Sequence, residues 1–317
     1  MTSLPGKVAA VDVRWLNYNE LSKMIYKLLT TFLVLLFTTE ILQAQLISWR
    51  DLIDGDLPQP TERIYYGADS LQFGDLWLPD DEPHTTVILI HGGCWFDIYP
   101  GVEIMNYMAE ALRRNGFAVW NIEYRRLGHD GGGYPGTFQD AAIGADYLRE
   151  IAGKFYLNLN RVIASGHSAG GHLATWLAAK KNLPDSSPLY GENLINIHAV
   201  ISLAGINDLE RYASYGSSSC GENTVERLID LEGRGENAFL DTSPVNLLPL
   251  GVPFVEVTAA FDAPVPPFFG NHFVNAAKEA GDDATLLLQP KAGHFEMITP
   301  WSDEWEEVLE LFQTILD

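Results

Sequence analysis

The sequence predicts an α/β protein: a mostly parallel central sheet with helices on both faces and a small cap insertion. Three observations predict it. Apolar, β-branched runs alternate with helically spaced stretches along most of the chain. Those runs are nearly continuous rather than alternately polar, the pattern of strands covered on both faces. One segment, 205–250, breaks the alternation with Ser, Gly, Glu and Asn. It predicts a cap lying over the strand ends, with an ordinary surface excursion as the alternative.

The elements follow in chain order. Residues 28–39 are uncharged and mostly apolar, with Lys23 and Lys27 before them and Leu42-Gln43-Ala44 after. This predicts a secretory leader over 1–44, with its true start at Met24 and cleavage near Ala44. The run is shorter than the roughly 20 residues that cross a bilayer, so the mature chain is expected to have no stable membrane span. An N-terminal membrane anchor is the alternative. The expected location is therefore periplasmic or secreted, with residues 45–317 as one domain.

Within that domain, Arg63–Tyr66 and Leu71–Leu78 read as paired antiparallel strands. Thr86–Ile90, Phe117–Ile122, Arg161–Ala164, His198–Leu203, Pro253–Thr258 and Ala284–Leu288 read as buried strands. Helices are predicted over Val102–Arg114, residues 137–152 and Ala169–Lys181. A final helix is expected to carry Trp301, Trp305, Val308, Leu309 and Phe312 on its buried face.

Composition narrows the function classes. Among 317 residues, 20 Lys and Arg face 42 Asp and Glu, a net charge of −22. A surface that negative argues against nucleic acid and anionic membranes as partners. Removing residues 1–44 takes the charge only to −23, so the acidity belongs to the domain. The two cysteines, Cys94 and Cys220, are too few for a disulfide scaffold. Two free or buried thiols are the expected state, with pairing after export as the alternative.

Chemistry gathers at the ends of the predicted strands. Gly166-His167-Ser168-Ala169-Gly170 is a G-x-S-x-G turn between a strand and a helix, which lifts a serine hydroxyl above the sheet. The glycines permit so tight a turn, and helix entry aims the Ala169 amide at the reacting oxygen. His91-Gly92-Gly93-Cys94-Trp95 follows an earlier strand. Its glycines can present backbone N–H groups to a developing oxyanion, so Gly92, Gly93 and Cys94, with Ala169, are the donor candidates. His91 is expected to anchor that loop. Trp95 and His167 are the candidates for the substrate pocket, with plain packing the alternative for Trp95.

The order Ser, acid, His then selects the remaining groups. His294 lies just past the last strand and is the expected base; His272 falls inside a helix. His172, four residues after Ser168, is expected to pack or support. Asp262 follows the strand Pro253–Thr258 and is the expected acid. Asp208 is the runner-up, read as a helix cap, and Glu256 is read as turned away inside its strand. No cluster has metal-ligand spacing, and Gly131-Gly132-Gly133 is not followed by Gly-Lys-Ser, so no metal or other cofactor is implied.

These residues together resemble the α/β-hydrolase superfamily over nearly all of Ile64–Leu316. The Gly92 loop and the segment Gly166–Leu173 resemble its carboxylesterase-type branch, which includes kynurenine formamidases, feruloyl esterases and acetyl-xylan esterases. Glu123-Tyr124-Arg125-Arg126 and Tyr134–Asp140 share that resemblance. Around Asp262 the branch carries Gly-x-x-Asp-x-x-Val-Pro, and here Ala259 replaces the glycine. The resemblance implies a serine hydrolase of carboxylic esters, or of activated amides and formamides, acting on a small molecule. A prolyl-oligopeptidase-like peptidase and a non-catalytic binding protein on the same fold are the alternatives.

Overall fold

The computed structural model describes residues 22–28, 46–82 and 85–317. Residues 22–28 are helical. The rest of the predicted leader, including the apolar run from residue 29 and the cut at Ala44, lies outside the described residues. No helix among the described residues is long and apolar enough to cross a membrane. Leu46–Asp317 forms one compact unit.

Its centre is an eight-stranded sheet in the order β1-β2-β4-β3-β5-β6-β7-β8. The strands are β1 (Glu62–Tyr65), β2 (Phe73–Trp77), β3 (Thr85–Ile90), β4 (Phe117–Ile122), β5 (Val162–His167), β6 (Ala199–Leu203), β7 (Phe254–Ala259) and β8 (Ala284–Gln289). The pairings β1–β2 and β2–β4 are antiparallel. The five others are parallel. Every residue of β3 to β7 is buried, which explains why those strands carry no polar alternation. The sheet and its helices form the α/β-hydrolase fold.

The helices covering the sheet are α1 (Asn106–Arg114), α2 (Gly136–Asp146), α3 (Leu148–Phe155) and α4 (Ala169–Ala179). In the cap region lie α5 (Leu209–Ala213), α6 (Thr224–Leu228) and α7 (Leu231–Arg234). The last two are α8 (Pro267–Glu279) and α9 (Trp305–Thr314). Helix α4 is buried along its whole length, and its run of Ala and Gly lets it lie close against the sheet.

Three boundaries differ from expectation. Val102–Met105 is a 3-10 turn ahead of α1 rather than part of one helix. The stretch 137–152 divides into α2 and α3 at Tyr147. Trp301 lies outside α9 and is exposed, its ring edge-on to Tyr107. The cause is a turn in which Ser302 N–H bonds the Thr299 carbonyl and the Ser302 hydroxyl bonds the Glu296 carbonyl, delaying the helix to Trp305.

Parallel strands deliver their carboxyl ends to one edge of the sheet, where ligands bind in open α/β folds. The loops after β3, β5, β7 and β8 carry His91–Trp95, Ser168, Asp262 and His294 respectively.

Candidate active site

Ser168 stands between β5 and α4 with φ 56° and ψ −117°, outside the regions that non-glycine residues prefer. Its neighbours explain how the turn closes. A Cβ at Gly166 would collide with the Gly170 carbonyl, and one at Gly170 with the Ile90 carbonyl. The Ser168 amide donates to the Leu203 carbonyl at 2.8 Å, which ties the strained residue to the next strand. Ser168 is buried and lines a cavity of about 210 Å³ together with His294, His167, Gly93 and Cys94.

His294 and Asp262 meet side chain to side chain. His294 Nδ1 lies 2.7 Å from Asp262 Oδ2, and both groups are buried. A carboxylate only accepts, so Nδ1 carries the proton of that bond. The Val265 amide donates to Asp262 Oδ1 at 2.7 Å and fixes the carboxylate's orientation. Ala259, where the resemblance expects glycine, is accommodated as the last residue of β7.

The Gly92 loop lies against the serine turn. A Cβ at Gly92 would be 2.8 Å from the His167 carbonyl and 3.2 Å from Ser168 Cβ, so only glycine allows this approach. Gly93, Cys94 and Trp95 follow with φ of 95°, 52° and 53°. Left-handed backbone at a non-glycine residue costs about 1 kcal/mol or more, so the surroundings must hold it. They do so on two sides. The Phe96 amide bonds the Gly93 carbonyl, and the Leu127 amide bonds the Trp95 carbonyl. Cys94 is joined by a disulfide to Cys220 in the cap. The expectation of two free thiols is therefore wrong: the cap folds back across a sequence separation of 126 and brings the two sulfurs together.

A second correction concerns Trp95. It does not wall the cavity. The left-handed turn sends its indole inward, where it is fully buried and donates to His172 Nδ1 at 3.2 Å. His172 Nε2 in turn donates to the Thr242 carbonyl, and burial pushes the ring's pKa down to about 4. His167, the other pocket candidate, does line the cavity. Its Nε2 donates to the His294 carbonyl at 2.8 Å, joining the serine turn to the histidine loop. Burial and the adjacent His294 push His167 well below the usual imidazole range.

His91 anchors its loop from beneath. Its two ring nitrogens lie 2.8 Å from the Gly92 carbonyl and 3.0 Å from Glu123 Oε1, and the ring stacks on Tyr124. Burial opposes ionisation of Glu123, but His91, Arg126 and the Tyr124 amide outweigh it and hold the carboxyl at a pKa of about 2. Arg126 donates to the Tyr99 and Pro100 carbonyls, which set another cavity wall. Arg125 grips Asp140 with two hydrogen bonds of 2.7 and 2.8 Å. The Glu123–Arg126 and Tyr134–Asp140 segments thus brace the loop without touching the cavity.

The runners-up find each other instead. Asp208 caps α5 by accepting from the Arg211 amide and lies 3.2 Å from His272 Nε2. Glu256 is buried under the end of β6, where its oxygens accept from the Gly205 amide and Asn207 Nδ2. Among the wall residues that sequence reading does not single out are Trp49 and Ser219, both on the cavity lining. Neither sits in a motif, and only the folded chain brings them to Ser168.

The model of the BD-FAE family matches residues 75–273. The chain belongs to the BD-FAE family. Esterase LipC of Mycobacterium tuberculosis is 26% identical over 243 residues, covering 73% of this chain and 59% of that protein. A probable isoprenylcysteine alpha-carbonyl methylesterase of Oryza sativa subsp. japonica is 24% identical over 257 residues, covering 75% and 59%. The match therefore spans about three fifths of the length of these two relatives. Among solved structures, esterase B from Lactobacillus rhamnosis superposes with a TM-score of 0.69 at 20% identity, covering 93% of this chain and 94% of that one. Esterase 2 of Thermogutta terrifontis gives 0.65 at 20% identity, covering 83% and 95%.

Proposed function

We propose that this protein is a serine hydrolase that cleaves neutral carboxylic esters with a short acyl group, using Ser168, His294 and Asp262. The observation that carries the reading is the buried 2.7 Å Asp262–His294 pair sharing one cavity with a serine held at φ 56°. The relatives' names, an esterase and a probable methylesterase, point the same way.

In this reading His294 Nε2 takes the proton of the Ser168 hydroxyl as its oxygen attacks the ester carbonyl carbon. The oxyanion that forms is stabilised by the backbone amides of the Gly92–Cys94 loop and Ala169, each worth about 3 kcal/mol in favourable sites. The C–O bond to the alcohol breaks, and the alcohol leaves with the proton from His294. Water, deprotonated by the same nitrogen, then attacks the acyl-enzyme and releases the acid. Asp262 keeps the Nδ1 proton in place and offsets the charge of the imidazolium.

The cavity narrows the substrate. About 210 Å³ is small beside the ~300–1,000 Å³ of pockets that hold drug-sized ligands, which favours a short acyl group. Among the described residues that line it there is no Asp, Glu, Lys or Arg, which favours a neutral ester over an amino-acid substrate such as N-formylkynurenine. A wider hollow of about 610 Å³ lined by Asp80, Glu110, Arg113 and Arg114 carries no serine or histidine. Export is part of the proposal: the Cys94–Cys220 disulfide supports an oxidising location.

The test is hydrolysis of p-nitrophenyl acetate by the protein and by Ser168→Ala. The expected loss is about 10⁴-fold or more in kcat. Equal rates for the two proteins contradict the proposal.

A further inference from the structure

One wall of the cavity comes from the beginning of the compact unit. Trp49–Leu52 is a single 3-10 turn ahead of β1, and Trp49 lines the same cavity as Ser168 and His294. The turn is held firmly for so short a segment. Leu52 is fully buried beneath it. The amide and hydroxyl of Ser48 both donate to Asp51 Oδ2 at 2.8 Å, closing a capping box.

The third tie reaches across the molecule. The Ile47 amide donates to Glu296 Oε1 at 2.7 Å. The other oxygen of that carboxylate accepts from the Gly293 amide at 2.9 Å. Gly293 immediately precedes His294, and a Cβ built there would lie 3.1 Å from Leu46 Cδ1. Glu296 is itself buried. A single carboxylate therefore clamps residues 46–52 to the loop that carries the histidine. Both ends of this clamp lie outside residues 75–273, the region matched by the BD-FAE model.

We infer that Leu46–Leu52 is a strap that sets acyl-chain length, with Trp49 as the specificity-determining residue and Glu296 as the positioning residue that couples the strap to His294. The inference rests on the esterase reading above. A large rigid indole on the wall of a small apolar cavity occupies space that further methylenes of an acyl chain would need. Each methylene admitted to or excluded from an apolar pocket changes kcat/KM by about tenfold or more. Glu296 does not touch the cavity, so it acts through the strap and through the placing of His294.

The experiment compares the protein, Trp49→Ala, Trp49→Phe and Glu296→Gln on p-nitrophenyl acetate, butyrate and octanoate, with Ser168→Ala as the control. Circular dichroism at the assay temperature checks folding. The ratio of kcat/KM for octanoate over acetate is expected to rise about tenfold in Trp49→Ala and less in Trp49→Phe. Glu296→Gln is expected to move the ratio in the same direction and to lower kcat on acetate more than it raises KM. An unchanged ratio in both folded Trp49 variants, whatever happens to the overall rate, overturns the inference and leaves the esterase reading standing. If none of the three esters is hydrolysed in a Ser168-dependent way, the esterase reading falls and takes this inference with it.

Discussion

The Ser168 turn and the walls around it are built on different principles. The turn and the Gly92 loop sit at the ends of adjacent parallel strands, β3 and β5, whose register is fixed by the buried sheet. Their geometry follows from contiguous sequence: glycines where a Cβ would strike backbone, and a serine where strand becomes helix. The walls instead come from irregular segments far apart in the chain. Trp49 arrives on a strap held by a hydrogen bond that spans 249 residues, and Ser219 arrives on a cap held by a disulfide that spans 126. In the proposed reading the chemistry belongs to the rigid scaffold and the choice of substrate to the segments appended to it.

Breaking the scaffold side is expected to give the largest effect. Asp262→Asn keeps the shape of the His294 contact but favours the wrong tautomer. Steady-state hydrolysis is expected to lose roughly 10⁴-fold in kcat with KM little changed. A loss of only a few fold would show that Asp262 is not the acid.

The next effect tests the wall side. Cys220→Ser removes the tie from cap to loop without altering the loop's own residue. Closing a loop of 126 residues is expected to stabilise the fold by up to about 5 kcal/mol, so the urea midpoint should fall accordingly. If the midpoint stays put, the cap is held by its other contacts.

Gly92→Ala sharpens the boundary between the two regions. Its Cβ, 2.8 Å from the His167 carbonyl, would push the loop away from Ser168. A loss of about 10²-fold in kcat is expected, comparable to losing one oxyanion donor.

The last effect, the shallowest per unit of pH, concerns a buried carboxyl of the scaffold. Burial raises Glu256 from 4.5 to about 8. Below 4.5 the folded and unfolded chains both hold the proton. As pH rises from 4.5 towards 8 only the unfolded chain releases it, so Glu256 costs stability as pH increases. Glu256→Gln should remove up to about 1.4 kcal/mol per pH unit of that slope, read from urea midpoints across the window. Parallel pH profiles for both proteins would place the proton elsewhere.

Much of the scaffold was legible in the sequence because its signals are local. Continuous apolar runs gave the parallel strands, and G-x-S-x-G in a strand-to-helix context gave Ser168. Chain order then pointed to Asp262 and His294, which the structure brings to 2.7 Å. The walls were illegible for the opposite reason. Nothing near Cys94 signals that residue 220 returns to it, so two free thiols was the simpler expectation. Trp95 was misplaced because the direction of its side chain depends on a left-handed φ of 53° that an ordinary Cys-Trp pair does not announce. Ile47, two residues before Trp49, and Glu296 are 249 residues apart in sequence, and only the folded molecule joins them.

In the proposed mechanism Ser168 is the single nucleophile. Incubation with diethyl p-nitrophenyl phosphate followed by intact-mass and peptide mapping tests it most directly. One diethylphosphoryl group per chain is expected, on Ser168, with esterase activity lost in proportion and no labelling of Ser168→Ala. A label on another residue, or full activity after complete labelling, would contradict it.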